Sequence, residues 1–263
     1  MAPGAVQTGM RTDSSSQGAF SLVELLVVVA VIAILAALLL SGISAAHRYA
    51  MRAPCLNNLK QIDTGVEMYA DDHNGLLPIV RGNGPPALWS DYALFVRSYL
   101  GLKGTPSPKD RVFVCPADTF SWVDSAWPYI SEAIHLQSRF RFNSYAFNAA
   151  NSFTMYSPAT GHVTSPGIAG SRMSSVQAPA KTVLVFDFPA MVPYSWHQPV
   201  RKVPACNSRD MVSFVDGHAS FTKIYWDAKR RGFAHCEAWN YDPPPGYDYK
   251  WSGTLQQPMS AGR

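Results

Sequence analysis

Residues 20–46 read FSLVELLVVVAVIAILAALLLSGISAA, and this stretch decides how the chain is organised. From Leu25 to Ala46 there are 22 residues without a charge, and the first 16 of them form an unbroken apolar run. Twenty-two helical residues span roughly 33 Å, which covers the ~30 Å hydrocarbon core of a bilayer. Because a soluble helix keeps a polar face and this segment is apolar all round, it is a membrane helix or a secretory signal.

An ordinary secretory signal fits the N-terminal segment poorly. Such a signal has a basic leading region, about 7–15 apolar residues and a cleavage site of the Ala-x-Ala type behind them. Here residues 1–19 carry only Arg11 and Asp13 as charges, the apolar run is longer, and residues 41–46 imitate a cleavage site only loosely. These differences favour the membrane-helix interpretation.

Glu24 stands at the start of the apolar run, where an acid is unexpected. An unpaired acid at the centre of a membrane helix costs about 2.5–3.5 kcal/mol on insertion scales, and less near the edge. Two interpretations follow: the carboxylate reaches the lipid headgroups, or it has a cationic partner. The α-amine of Phe20, four residues earlier, becomes such a partner if the chain is cut just before Phe20.

A short polar leader followed by Phe20, with Glu24 in the fifth position, resembles the class III signal of type IV pilins and type II secretion pseudopilins. The resemblance implies that a prepilin peptidase removes the leader and that the new N-terminal Phe20 is N-methylated. The family usually has Gly directly before the cut, whereas Gly18 is followed here by Ala19. Cleavage after Ala19 or after Gly18 is therefore open, and Phe in the first and Glu in the fifth position favour Ala19.

The same resemblance implies a structural subunit rather than an enzyme. The helix would anchor the chain in the inner membrane by a single pass, with a cytoplasmic N-terminus and a periplasmic head. It would later pack against other pilin-like subunits in a type II secretion or type IV pilus-like filament. Glu24 would then set axial register, the role in which buried polar groups are best attested. The alternative is a signal-anchored envelope enzyme or carbohydrate-binding protein.

The sequence that follows the apolar run is amphipathic. Leu56, Leu59, Ile62, Val66 and Tyr69 recur every three or four residues, which predicts a helix to about residue 70 that ends near the Asn-Gly pair at 74–75. The proline at position 54 lies between the two helical stretches and predicts a kink or break there.

The remaining sequence predicts a mixed head, so that the expected fold class is α+β: a long N-terminal helix packed on an antiparallel sheet. Apolar pairs between residues 88 and 100 predict a short helix that stops at Gly101. Asp216 and Gly217 predict a two-residue hairpin turn. The strand candidates are Val112–Cys115, Ser144–Asn148, Thr182–Asp187, Val212–Val215 and Ala219–Ile224.

Five parts are expected along the chain. They are a prepilin leader at 1–19, a transmembrane and assembly helix at 20–46, its amphipathic continuation at 47–75, a globular α+β head at 76–241 and an irregular C-terminal tail at 242–263.

Further motifs resemble large pseudopilin-like proteins of diderm bacteria: CLNNLKQ at 55–61, MYADD at 68–72, FVCP at 113–116 and FVDGH at 214–218. That group often carries a His ten positions before the Asp of Asp-Gly, where this chain has Cys206. The four cysteines allow three pairings by themselves. The resemblance implies a disulfide between Cys55 and Cys115, which leaves Cys206 with Cys236.

Two groups of residues offer oxygen or nitrogen ligands. The run Asp71-Asp72-His73-Asn74-Gly75 is compatible with a structural turn or, less well, with part of a calcium loop. Asp187, His197, Asp216 and His218 would converge on a metal only if their strands are neighbours, and a plain turn is the simpler interpretation. No cofactor and no metal ligand are therefore predicted, and calcium is the alternative.

Composition excludes other classes of protein. At 47% apolar and 15% charged residues, against about 25% charged in a typical domain, the chain is not intrinsically disordered. The longest basic run is only three residues, at 229–231, which argues against nucleic acid as a partner. Because no Gly-x-Ser-x-Gly, His-Glu-x-x-His or phosphate-binding glycine loop occurs, we predict no enzyme.

Overall fold

The computed structural model describes residues 21–79, 87–119, 132–149, 151, 154–157, 161–164, 167–191, 194–198, 208–225 and 242–253. Contacts within the chain divide it into a unit that ends at Ala46 and a second unit that begins at His47. Four helices are described: α1 (Leu22–Ala50), α2 (Arg52–Asp72), α3 (Ala87–Ser90) and α4 (Tyr92–Val96).

The regular helix is interrupted at Met51, three residues before the predicted joint at Pro54. Pro54 has no N–H to donate to the carbonyl of Ala50, and its ring crowds that carbonyl, so the disturbance lies upstream of the proline. Pro54 itself lies in the first turn of α2, where a backbone N–H has no partner within the helix in any case.

Helix α2 ends where the sequence predicts. The N–H groups of His73 and Gly75 both donate to the carbonyl of Ala70, at 3.0 and 2.7 Å. Asn74 and Gly75 have φ angles of 56° and 77°, the left-handed conformation that these two residue types accept most readily. The Asn-Gly pair therefore terminates the helix.

One face of α2 is buried in the head. Leu59, Ile62 and Val66 have no exposed surface, while Leu56 and Tyr69 lie at the edge of the face and are partly buried. The predicted apolar stripe is therefore confirmed. A polar residue, Asp63, is buried on the same face and was not part of the prediction.

The predicted helix between residues 88 and 100 is divided into α3 and α4. Asp91 separates the two, and its Oδ1 accepts a hydrogen bond from Nε of Arg141 at 2.6 Å. Further turns continue to Gly101, whose φ of 73° ends the segment as predicted.

The sheet of the head has four strands in the order β1-β4-β5-β6, and every neighbouring pair is antiparallel. A separate hairpin of two strands, β2 and β3, was not predicted. Four of the five strand candidates overlap a strand, and the α+β fold class is confirmed. The strands are β1 (Tyr145–Phe147), β2 (Thr154–Ser157), β3 (Gly161–Thr164), β4 (Val183–Asp187), β5 (Arg209–Phe214) and β6 (Ala219–Lys223).

The strand prediction at Val112–Cys115 is wrong. Arg111–Phe113 is a single turn of 3-10 helix, and Val114 behind it is extended. The segment meets the start of β1 through two bonds: the Ser144 N–H donates to the Phe113 carbonyl, and the Cys115 N–H donates to Ser144 Oγ. The proline at 116 has no N–H, so a ladder cannot continue.

The hairpin between β5 and β6 has a loop of three residues rather than the predicted two. Phe214 donates its N–H to the carbonyl of His218 at 2.9 Å, so Val215, Asp216 and Gly217 form the loop. Gly217 has a φ of 84° and its N–H bonds to the Phe214 carbonyl. This combination is a type I turn followed by a left-handed residue, which twists in the same sense as the flanking strands.

The described part of the tail, residues 242–253, is irregular and nevertheless contributes to the core. Tyr249 and Trp251 are buried, and Lys250 forms a parallel bridge with Thr182 next to β4. Nδ2 of Asn148 donates to the Trp251 carbonyl at 2.8 Å. Trp251 packs edge-on against Phe186, with ring centroids 4.9 Å apart.

Ser213 of β5 joins α2 to the sheet. Strand β4 has one extra residue between Val183 and Phe186, and at this bulge the Val185 N–H donates to Ser213 Oγ at 3.2 Å. The Ser213 hydroxyl in turn faces Oδ1 of Asp63 at 2.6 Å and the Val185 carbonyl at 3.0 Å. The hydroxyl thus fills the gap in the ladder and positions the helix over it.

Cys55 of α2 and Cys115 form a disulfide, with Cα atoms 5.3 Å apart. This is the pairing that the resemblance implies. Both residues are fully buried, and the bond attaches the first turns of α2 to the segment that leads into β1.

Asp63 makes the stability of the head depend on pH. Burial raises the pKa of Asp63 well above its usual range, the Ser213 hydrogen bond opposes the rise, and the charges of Glu67 and Asp216 add to it. Above about pH 3.9, where an unfolded Asp loses its proton, the folded chain keeps a proton on Asp63 that the unfolded chain has lost. The contribution of Asp63 to the free energy of unfolding therefore falls as pH rises through this window, and we expect Asp63→Asn to remove that contribution.

The measurement is denaturant unfolding of the full chain in detergent at a series of pH values. Asp71→Asn, at an exposed position on the same helix, is the matched control and should keep the wild-type slope. Equal slopes for Asp63→Asn and the wild type would contradict the assignment.

Removal of the disulfide should destabilise the head strongly. The bond closes a loop with a sequence separation of 60 residues, and loop-closure entropy gives about 4 kcal/mol for such a loop. We expect the double variant Cys55→Ser/Cys115→Ser to lose about this much free energy of unfolding in denaturant titrations without reductant. A non-reducing peptide map that linked Cys55 to Cys206 instead would refute the pairing.

Candidate functional site

Ser21 and Glu24 bond to each other at the start of α1. The Ser21 N–H donates to Oε2 of Glu24 at 2.9 Å, and the Glu24 N–H donates to Oγ of Ser21 at 3.2 Å. This reciprocal pair is a capping box, which satisfies two backbone donors that a helix start leaves open. The Ser-x-x-Glu spacing is readable in the sequence and adds a local role for Glu24 that the sequence analysis missed.

The surface of α1 is apolar on all sides. The large apolar side chains of Leu22–Leu40 are each 46–79% exposed. By length and composition, this segment is able to cross a membrane. Because water is a poor solvent for such a surface, the helix is suited to an environment of lipid or of other apolar helices.

Several predicted site residues lie outside the described residues. These are Gly18, Ala19 and Phe20 at the expected cleavage and methylation point, and Cys206 and Cys236, the expected second disulfide. Glu24, Cys55, Cys115, Asp216 and Gly217 are described. The structure therefore locates the acid of the N-terminal motif, one disulfide and the hairpin turn.

The acidic run at the end of α2 is occupied by local contacts. Oδ2 of Asp72 accepts a hydrogen bond from the Tyr99 hydroxyl at 2.9 Å. The His73 ring stacks on Tyr69 with centroids 3.8 Å apart, and its Nδ1 lies 2.7 Å from the Tyr69 carbonyl oxygen. Among the described residues, no convergent set of three potential metal ligands includes this run. Its visible role is to end the helix.

The four residues considered as a second metal site form two separate pairs. Asp216 and His218 meet on the hairpin with Oδ1 and Nδ1 2.5 Å apart. Partial burial raises the pKa of Asp216, but the hydrogen bonds from the His218 ring and backbone outweigh it and lower the pKa. Asp187 and His197 form the other pair, in the core. In the described part of the chain no three of these four converge.

His197 instead joins the disulfide in a buried cluster that the sequence analysis did not find. Its Nε2 lies 3.3 Å from Sγ of Cys115 and 3.8 Å from Oδ2 of Asp187. Its backbone is held on both sides, because the His197 N–H donates to Ser195 Oγ and Nη2 of Arg52 donates to the His197 carbonyl. Burial, together with the charge of Arg52, lowers the pKa of His197 to about 4, so the ring is neutral at pH 7.

Two carboxyls extend the cluster. Burial raises the pKa of Asp187 well above its usual range, and burial together with the Asp187 charge does the same for Asp210. Ser208 donates to Oδ2 of Asp210 at 3.1 Å. The backbone N–H of Met211 faces the Asp187 carboxyl, yet neither oxygen of Asp187 has a hydrogen bond of acceptable geometry to a described residue.

The sequence analysis named Asp187 with His197 as possible metal ligands and Cys55 with Cys115 as a disulfide, but no signal in the sequence joins the two pairs. His197 is 82 residues from Cys115, and Cys115 is 60 residues from Cys55. None of the residues lies in a spacing typical of metal or redox motifs, which bring their ligands together within a few residues. Only the packing of α2, the segment at 194–198 and the end of β4 brings the four side chains together.

Comparison with known proteins gives one family match. Residues 14–40 match the family described as the prokaryotic N-terminal methylation motif. Neither a curated protein nor a solved structure matches the chain significantly.

The matched residues include the expected cleavage point, the capping box at Ser21 and Glu24, and the exposed apolar surface of α1. The motif implies processing by a prepilin peptidase and assembly with other pilin subunits, and an apolar N-terminal helix is compatible with a membrane anchor. The chain thus carries in residues 14–40 the prokaryotic N-terminal methylation motif, the hallmark of type IV pilins and pseudopilins.

Proposed function

We propose that this chain is a structural, non-enzymatic subunit of a type II secretion or type IV pilus-like filament. The observation that carries the proposal is α1: an all-round apolar, exposed helix with one acid at its start, inside the matched methylation motif. Such a surface is unfavourable in a protein that stays in water. It is favourable in a subunit whose helix is surrounded first by lipid and then by neighbouring helices.

Before assembly the subunit is a single-pass protein of the inner membrane. Prepilin peptidase removes the leader on the cytoplasmic side, and Phe20 becomes the methylated N-terminus. The head then lies in the periplasm. The buried Cys55–Cys115 disulfide supports this topology, because such bonds persist in oxidising compartments.

Glu24 serves two partners in this scheme. In the separate subunit its carboxylate accepts the Ser21 N–H and caps α1. In the filament the same carboxylate faces the N-terminal amine of a neighbour, which adds a charge-assisted bond and fixes axial register. The capping bond costs little to exchange, because Ser21 and Glu24 are both exposed.

The N-terminal chemistry of the mature protein tests the proposal directly. We expect mass spectrometry of protein purified from membranes to find an N-terminal Phe20 that carries one methyl group. An N-terminal Ala19 would assign the cut to Gly18. An intact Met1, or cleavage after Ala46, would overturn the proposal and support a signal-anchored enzyme or carbohydrate-binding protein.

Substitution of Glu24 should separate membrane insertion from assembly. We expect Glu24→Ala and Glu24→Gln to insert normally, since both remove a charge from the apolar segment, and to lower the yield of filaments. The measurement is the amount of subunit in sheared filaments relative to the amount in membranes.

Glu24→Gln and Ser21→Ala distinguish the two roles of the acid. Gln still forms a capping box, so a defect in Glu24→Gln arises from the missing charge. Ser21→Ala removes the hydroxyl side of the cap and keeps the acid, and filaments should form. Normal filament yield from Glu24→Gln would refute the register role.

A further inference from the structure

Three metal-binding atoms converge in the core of the head. One atom each from Cys55, Cys115 and His197 lies within 4.8 Å of the other two. The exposed fractions of these residues are 0%, 0% and 1%. They belong to α2, to the segment before β1 and to the segment at 194–198, so three separate parts of the chain meet at one point.

A fourth donor stands beside them. Oδ2 of Asp187, at the end of β4, lies 3.8 Å from Nε2 of His197. Asp187 is fully buried, and neither of its oxygens has a hydrogen bond of acceptable geometry to a described residue. A buried carboxyl without a charged partner keeps its proton, and it becomes a carboxylate when it coordinates a metal.

We propose that the reduced chain binds one zinc ion through Cys55, Cys115 and His197, and that the Asp187 carboxyl, which lies outside the set of three convergent atoms, moves inward to become the fourth ligand. Two thiolates with an imidazole and a carboxylate form a ligand set typical of tetrahedral zinc. Around such an ion the ligand atoms lie about 3.3–3.8 Å apart, given Zn–S near 2.3 Å and Zn–N near 2.0 Å. The 3.3 Å from Cys115 Sγ to His197 Nε2 falls in this range. The 3.8 Å from His197 Nε2 to Oδ2 of Asp187 is longer than the ~3.3 Å of a zinc-bound N–O pair, so the carboxyl must approach when the ion binds.

The surroundings hold the ligands without using their metal-binding atoms. The Cys115 N–H donates to Ser144 Oγ, and the Ser144 hydroxyl donates to Oδ2 of Asp118 at 2.8 Å. His197 is fixed through its backbone by Ser195 and Arg52. Ligands that are oriented before the ion arrives lose little freedom when they bind it.

Zinc and the disulfide exclude each other. A dithiol reductant supplies two electrons and two protons to the Cys55–Cys115 bond, is itself oxidised to a disulfide, and leaves two thiols, which lose their protons when they coordinate the ion. Conversely, a low-molecular-weight disulfide oxidises the two thiolates to cystine, is itself reduced to two thiolates, and frees the zinc. The head is thus cross-linked at the same point in both redox states. The zinc-bound state belongs to the chain whose disulfide has not formed or has been reduced, and the proposal is independent of which filament the head joins.

Cobalt provides the test, because its absorption reports both coordination geometry and thiolate ligands. The protein is the full chain with Cys206→Ser/Cys236→Ser, in detergent, reduced with a phosphine under argon and titrated with Co²⁺ and then Zn²⁺. We expect one Co²⁺ per chain with thiolate charge-transfer bands and tetrahedral ligand-field bands, displacement by one Zn²⁺, and release of the ion when oxidised glutathione is added. The disulfide form should bind none.

His197→Gln is the diagnostic variant, and we expect it to weaken Co²⁺ binding by about tenfold or more. His218→Gln, which removes an exposed histidine from the hairpin, is the matched control and should bind as the parent does. Undiminished binding by a folded His197→Gln protein would overturn the proposal, as would a reduced, folded parent that binds less than stoichiometric metal.

A second measurement tests the proposal on the parent protein, and it does not require that His197→Gln folds. Zn²⁺ should slow alkylation of Cys55 and Cys115 in the reduced parent, as read by peptide mass spectrometry. Equal alkylation rates with and without Zn²⁺ would overturn the proposal.

Discussion

The hydrogen bond between Asp63 and Ser213 is the contact on which the head depends. It is made at the bulge of β4, where the ladder to β5 lacks a regular bond and the Ser213 hydroxyl supplies one. The same hydroxyl orients α2, whose apolar face then covers the sheet. A polar group buried on an apolar face costs free energy unless it is bonded, so the bond specifies one register of helix on sheet.

Helix α2 also organises the chemistry of the core. Its first turns carry Cys55, which reaches Cys115, and the Arg52 side chain holds the backbone of His197. Because the bond of Asp63 fixes the position of α2, it also positions Cys55 at the centre of the buried cluster. The disulfide at this point stabilises the head because it closes a long loop and so constrains the unfolded chain.

Helix α1 differs from α2, because the medium around its apolar surface determines its stability. Its backbone is satisfied internally, and its first donors are bonded through Ser21 and Glu24. The apolar surface suits lipid and the interior of a helical filament equally. The capping bond to Ser21 gives Glu24 a role within its own chain, and the proposed bond to a neighbour's amine gives this acid a second role in an otherwise apolar segment.

The sequence by itself determined α1, α2, the Asn-Gly end of α2 and most strands of the sheet, because each depends on the spacing of neighbouring residues. It also determined the N-terminal motif, whose residues lie within one short segment. The tertiary structure alone decided the three-residue hairpin loop, the 3-10 turn at 111–113 and the buried cluster. Asp63 and Ser213 are 150 residues apart, and His197 and Cys115 are 82 apart. Local periodicity carries no information about such pairs, since they form only when the packing of helix on sheet closes the long loops between them.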